Sequence, residues 1–267
     1  MRRIRLVIFD WAGTTVDFGC CAPVTAFVRA FADAGVPLTV AEARGPMGLH
    51  KKDHIRALLQ QPAIAHRWQQ AHGRSWRADD LEELYQRFIP LQLETIDRES
   101  TLIPGLLSCL AFLRERQIRI GATTGYFREA AERVYQAARR QGFVPDHSVC
   151  ADEVPAGRPL PWMVFRNMEA LEIYPPAAVV KVGDTAPDME EGRNAGVWTI
   201  GVIRTSSEVG LRQSELEALP AEEQRARLQA ARIKLLDAGA HEIVDSVADL
   251  PERIPEVERR LGLGEKP

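Results

Sequence analysis

Long hydrophobic runs are missing from this sequence: no stretch approaches the ~20 apolar residues that a membrane-spanning helix needs. The amino terminus, MRRIRLVIFD, carries early arginines but meets the charged Asp10 after a short apolar run. A secretory signal needs a longer apolar region and a small-residue cleavage site, so residues 4–9 are expected to form a buried strand instead. An excess of positive charge is also missing. A formal net charge of -3 excludes a chain-wide basic surface for nucleic acid, while leaving room for the single local patch that a small anion needs. Cysteine is sparse. Cys20, Cys21, Cys109 and Cys150 lack metal-ligand spacing, and the adjacent Cys20–Cys21 pair is a poor disulfide candidate. Reduced thiols in a cytoplasmic protein, with neither nucleic acid nor membrane as partner, are the expectation. No internal repeat or low-complexity segment is visible.

What is present suits an α/β protein. At 267 residues, 45% apolar and 27% charged, the chain is long enough for one large domain or for a core with a smaller insert. Short apolar runs at Leu6–Phe9, Ile118–Ala122, Ser148–Cys150, Val179–Val182, Trp198–Val202 and Ile243–Val244 read as strands buried on both faces. Helix-length amphipathic stretches lie between them, near 105–116, 128–141, 162–171 and 187–195. The alternation predicts a doubly wound parallel sheet, a Rossmann-like core. From 18 to 100 the rhythm breaks, and only helical patterns such as Ala63–Ala71 and Asp80–Ile96 occur. A core of residues 1–17 and 101–267 with an inserted small all-helical cap domain at 18–100 is therefore expected. The tail should hold one charged helix over Leu216–Leu236 and a last strand–helix pair ending near Leu261.

In an open parallel sheet, ligands bind beyond the carboxyl ends of the strands. Asp10-Trp11-Ala12-Gly13-Thr14-Thr15 follows the first predicted strand, Thr123-Thr124-Gly125 the second, and Gly183-Asp184-Thr185-Ala186-Pro187-Asp188 the one at 179–182; Gly157-Arg158-Pro159 lies upstream of that strand. Each residue has an ordinary reading: a capping Asp10, a turn hydroxyl at Thr124, a surface Arg158. Together, in chain order, they suit phosphoryl chemistry. Asp10 can attack phosphorus if a divalent cation shared with Asp184 screens the substrate's charge. Thr124 and the planar fork of Arg158 can hold the remaining oxygens, and backbone N–H groups of the Gly13-Thr14 turn complete an anion cradle.

These motifs resemble the haloacid dehalogenase superfamily: Asp10, Thr124, Arg158, and Asp184 with Asp188 fall at its four marker positions. The strings FDWAGTTVDFGC, PMGLHKKDH, VPAGRPLPWM and KVGDTAPDMEEGRNAG are similar to its phosphonatase family. That resemblance implies magnesium-dependent cleavage of the phosphorus–carbon bond of phosphonoacetaldehyde, in 2-aminoethylphosphonate degradation, by a homodimer joined partly through its caps. It implies Asp10, the Ala12 carbonyl and Asp184 as metal ligands, and an aspartyl-phosphate intermediate. Where superfamily phosphomonoesterases carry an acid two residues after the nucleophile, Ala12 cannot transfer a proton, which opposes a phosphomonoesterase. A carbon leaving group needs an electron sink instead, and the resemblance assigns that to Lys51 as a Schiff-base amine. Lys52 follows at once, but adjacent helical positions point about 100° apart, so only one can face the site. His54 shares a face with Lys51 and suits a proton-shuttling neighbour. Gly48 lets the cap loop approach closely, Met47 walls the pocket, and Tyr126 lines its entrance. Asp188 is expected to orient metal-bound water, Trp11 to pack, and Lys181 has no assigned role. A dehalogenase fits the Arg158 and Asp184–Asp188 set less well, and a non-catalytic binding protein would have no use for the full constellation.

Overall fold

The computed structural model describes residues 3–267. Six parallel strands form one sheet: β1 (Leu6–Asp10), β2 (Arg119–Thr124), β3 (His147–Cys150), β4 (Val179–Gly183), β5 (Trp198–Val202) and β6 (Glu242–Val244), in the order β3-β2-β1-β4-β5-β6. Every residue of β1, β4 and β5 is buried, as a sheet covered on both faces requires. The order places β1 between β2 and β4, so the carboxyl ends of these three strands share one rim.

After β1, and before the chain returns to the sheet through a sixth helix and β2, stand five helices and no strand: α1 (Cys21–Asp33), α2 (Val40–Arg44), α3 (Lys51–Gln60), α4 (Pro62–His72) and α5 (Ala78–Glu99). Their shared interior is aromatic and aliphatic. Phe27 of α1 stacks on Phe88 of α5, ring centroids 4.3 Å apart, among Phe31, Ile55, Leu58 and Leu84. The two chain segments joining this bundle to the sheet pair with each other: the Asp17 amide donates to the Thr101 carbonyl at 3.1 Å and the Ile103 amide to that of Thr15 at 2.9 Å. Asp17 also closes the start of α1, accepting from the amides of Cys21 and Ala22 at 2.8 and 3.0 Å; burial pushes its carboxyl up to about 7.

The remaining helices are α6 (Leu106–Glu115), α7 (Arg128–Arg140), α8 (Trp162–Ala170), α9 (Ala186–Ala195), α10 (Gln213–Ala218), α11 (Ala221–Asp237) and α12 (Leu250–Gly262). The single helix expected over Leu216–Leu236 is two. Leu219 is extended, with ψ 148°, because Pro220 disfavours a helical residue before it, and α11 restarts directly after the proline. Helix α9 begins with a reciprocal cap between Thr185 and Asp188 and stops at the left-handed Gly196. No helix among the described residues is long and apolar enough to cross a membrane. All four cysteines are buried and unpaired.

Candidate active site

Neighbouring strands deliver the acids. Asp10 ends β1, Asp184 follows the adjacent β4, and Asp188 lies one turn into α9. All three are buried, and one carboxylate oxygen from each falls within 4.8 Å of the others. Gly13 makes this approach possible: its φ of +88° favours glycine, and a Cβ would collide with the Asp184 carboxylate. Asp184 accepts from the Thr14 hydroxyl at 3.1 Å and the Ser207 amide at 2.8 Å, both neutral donors. Burial, then repulsion from Asp10 and Asp188, pushes its carboxyl well above the usual range. Burial also raises Asp10, with the Arg158 guanidinium opposing. For Asp188 burial is outweighed, because Arg158 and Lys181 hold it below the usual range. Facing buried carboxylates with too little positive charge around Asp184 are what a divalent cation would neutralise, so the donor set fits a metal ion. Ala12, in the turn after Asp10, contributes only a methyl side chain.

Arg158, also buried, is the hub on the opposite side. Its Nη2 donates to Asp10 Oδ1 at 2.7 Å and to the Thr123 hydroxyl at 2.8 Å, and its Nε to Glu191 at 3.0 Å. Its Nη1 lies 3.1 Å from Asp188 and 3.4 Å from the Gly48 carbonyl of the helical insert. Lys181, for which the sequence offered no role, puts its Nζ 2.7 Å from Asp188 and 3.7 Å from Glu191. Thr124 ends β2, its hydroxyl oxygen accepting from the Tyr126 amide at 3.1 Å.

The insert reaches this rim through residues 47–51. Gly48 has φ +94°, and a Cβ on it would collide with the Thr185 hydroxyl. A Cβ on Gly125 would lie 2.5 Å from the Leu49 carbonyl oxygen and 2.9 Å from that of Gly48. Two backbones therefore meet where neither tolerates a side chain. Met47 is buried beside them. Lys51, the first residue of α3, is 3% exposed, its Nζ 4.8 Å from the centre of the Tyr126 ring. Burial lowers its pKa, with Asp10 opposing and Arg158 adding to the fall. Lys52 points elsewhere: its side chain is 36% exposed and pairs with Glu82.

His54 follows Lys51 on the buried face of α3, stacked on Phe27 at 3.9 Å. Burial, reinforced by Lys51, drives its pKa far down, so the ring is neutral. Nε2 lies 2.9 Å from the Ala43 carbonyl, which can only accept, so the proton sits on Nε2 and Nδ1 keeps a free lone pair. Trp11 packs at 5.0 Å against Phe143.

Four neighbours of the site escaped the sequence reading. Lys181 is a charge within the apolar run VVKVG, a signal that was visible; Glu191 lies among charged neighbours, and neither it nor Thr123 nor Cys20 stood out. Cys20 precedes α1 as its cap residue at a left-handed φ of 50°, and burial pushes its thiol pKa well up. A surface cleft of about 720 Å³ between Arg5, Tyr174, Gly196 and Leu261 lies at the amino ends of the strands, away from all these groups.

Residues 4–196 match the family model described as haloacid dehalogenase-like hydrolase. The phosphonoacetaldehyde hydrolase of Syntrophobacter fumaroxidans is 47% identical over 264 residues, 99% of this chain and 95% of that protein. That of Bacillus cytotoxicus is 44% identical over 258 residues, 97% and 98% of the two chains. A crystal structure of a phosphonoacetaldehyde hydrolase like protein from Oleispira antarctica superposes with a TM-score of 0.97 at 42% identity, covering 99% of this chain and 96% of that one. A β-phosphoglucomutase from Clostridium difficile shares the fold alone, with a TM-score of 0.69 at 15% identity. Matched from β1 through the helical insert to the last strand, the chain belongs to the haloacid dehalogenase-like hydrolases and, within them, to the phosphonoacetaldehyde hydrolase family.

Proposed function

We propose that this chain hydrolyses the phosphorus–carbon bond of phosphonoacetaldehyde to acetaldehyde and phosphate. Residues 18–100 act as a cap over a core of residues 1–17 and 101–267. Asp10 is the nucleophile, and Lys51 is the amine that absorbs the electrons of the breaking bond. Magnesium, held by Asp10, the Ala12 carbonyl and Asp184, would screen the negative charge of phosphonate and nucleophile when bound. Asp188 holds its place through Lys181 and Thr185 and orients what Asp10 and Asp184 bind.

Thr124 and Arg158 take the phosphonate oxygens, the arginine with the N–H groups it otherwise gives to Asp10 and the Gly48 carbonyl. Lys51 Nζ adds to the aldehyde carbon, and loss of water leaves a protonated imine. The Asp10 carboxylate then attacks phosphorus while the phosphorus–carbon electron pair moves into the imine, giving an enamine and an aspartyl phosphate. Protonation at carbon and hydrolysis free acetaldehyde and Lys51. A further water attacks the aspartyl phosphate, releasing phosphate and restoring Asp10. His54, neutral on the same buried face as Lys51, offers its Nδ1 lone pair as a hydrogen-bond acceptor while the imine forms. Met47, Gly48 and Tyr126 wall the aldehyde's end and keep water from the imine. Ala12 fits this chemistry, because the leaving carbon is stabilised by the imine and needs no acid at that position.

The observation that carries the reading is Lys51, 3% exposed, with its Nζ 4.8 Å from the Tyr126 ring and near enough to the rim for Asp10 to oppose the fall of its pKa. The test is turnover of phosphonoacetaldehyde in a magnesium buffer. Acetaldehyde and phosphate should appear in equal amounts, and a chelator should stop both. Hydrolysis of phosphate monoesters with phosphonoacetaldehyde left intact would contradict it. A homodimer belongs to the same proposal, and light scattering on the purified protein measures it.

A further inference from the structure

We infer that Glu191 is a positioning residue that sets the plane of the Arg158 guanidinium and thereby the site's grip on the phosphonate. This rests on the reading of the Asp10 rim as a phosphonate site. Glu191 is completely buried, its Oε2 accepting from Arg158 Nε at 3.0 Å and its Oε1 without a partner. A buried carboxylate is costly to keep, and this one accepts from Nε rather than from the Nη2 that meets the nucleophile. It has no direct use in the chemistry.

A guanidinium is a flat fork with one Nε edge, and fixing that edge fixes where the other four N–H bonds point. Here Glu191 is the sole acceptor of Arg158 Nε among the described residues, while Nη2 meets Asp10 and Nη1 meets Asp188 and the Gly48 carbonyl. Lys181 does not explain Glu191 equally well. Its Nζ is already satisfied by Asp188 at 2.7 Å and stands 3.7 Å from Glu191. The helix that carries Glu191 is built for the task. Asp188, Glu191 and Asn194 recur every three residues along one face of α9, and all three hold the same segment. Asp188 faces Arg158 Nη1, Glu191 takes Nε, and Asn194 Nδ2 donates to the Pro159 carbonyl at 2.8 Å. Gly192 lets α9 sit tightly on the sheet, since a Cβ there would lie 3.1 Å from that of Lys181. The anchor of Arg158 is therefore rigid.

The test compares KM for phosphonoacetaldehyde with the inhibition constant of inorganic phosphate in the magnesium-loaded enzyme. Glu191→Ala, and Glu191→Met as a variant that fills the space without an acceptor, should raise both constants together by roughly 10- to 100-fold, the range of one charge-assisted hydrogen bond. kcat should fall less. Glu191→Gln keeps an oxygen for Nε and should recover most of the loss. In an Arg158→Lys background, which has no Nε to orient, Glu191→Met should change KM no further. Folded Ala or Met variants with wild-type KM and phosphate inhibition, or fully additive losses in the lysine background, would overturn the inference. Wild-type enzyme that neither consumes phosphonoacetaldehyde nor responds to phosphate would instead overturn the reading beneath it.

Discussion

A lysine that attacks an aldehyde must first shed its proton, and position 51 is arranged to make that easier. Burial favours the neutral amine, so the Lys51 pKa lies below the 10.5 of an ordinary lysine. The neutral fraction grows as pH rises and saturates above that lowered pKa. The rate of imine formation should therefore climb with pH and level off below pH 10.5; a stopped-flow profile still rising there would contradict the assignment. Lys52 is a control one residue away. Its pair with Glu82 is solvent-exposed and screened, so Lys52→Ala should keep turnover within roughly threefold of wild type. The motif residues were legible in the sequence because each directly follows a strand. The role of Glu191 was not, because it depends on Arg158, whose approach no local spacing encodes.

Helix α3 and its preceding loop work as a unit. Gly48 and Gly125 bring a segment of the insert against the turn after β2, and Arg158 reaches across to the Gly48 carbonyl. Gly125→Ala should hold that loop away from the rim. We expect kcat/KM to fall by roughly 100-fold, as a misplacement of about 1 Å can cause, with the thermal transition nearly unchanged. Wild-type kcat/KM in a folded Gly125→Ala protein would contradict this contact. At this scale most of the fold could be read beforehand, since uninterrupted buried runs such as VVKVG and WTIGV announce parallel strands. The break between α10 and α11 was missed because the charged pattern runs on through Pro220, whereas the backbone does not.

Across the whole molecule, the helical insert carries Lys51 and the sheet carries Asp10, the amine and nucleophile of the proposed reaction, and the paired segments at Asp17 and Thr101 join the two. The buried acids at the sheet's rim also link metal binding to folding. Magnesium at about 100 times its dissociation constant should stabilise the fold by about 2.7 kcal/mol. For a chain of this size that raises Tm by roughly 5–10 °C, and a chelator should reverse it. An unchanged Tm would count against a cation at these carboxylates. The division of labour between insert and sheet is tested most directly by reducing the enzyme with borohydride in the presence of phosphonoacetaldehyde and mapping the modified peptide. The expected result is a two-carbon adduct on Lys51 that is absent from Lys51→Ala. An adduct on Lys52, or active enzyme with no adduct on any lysine, would contradict it.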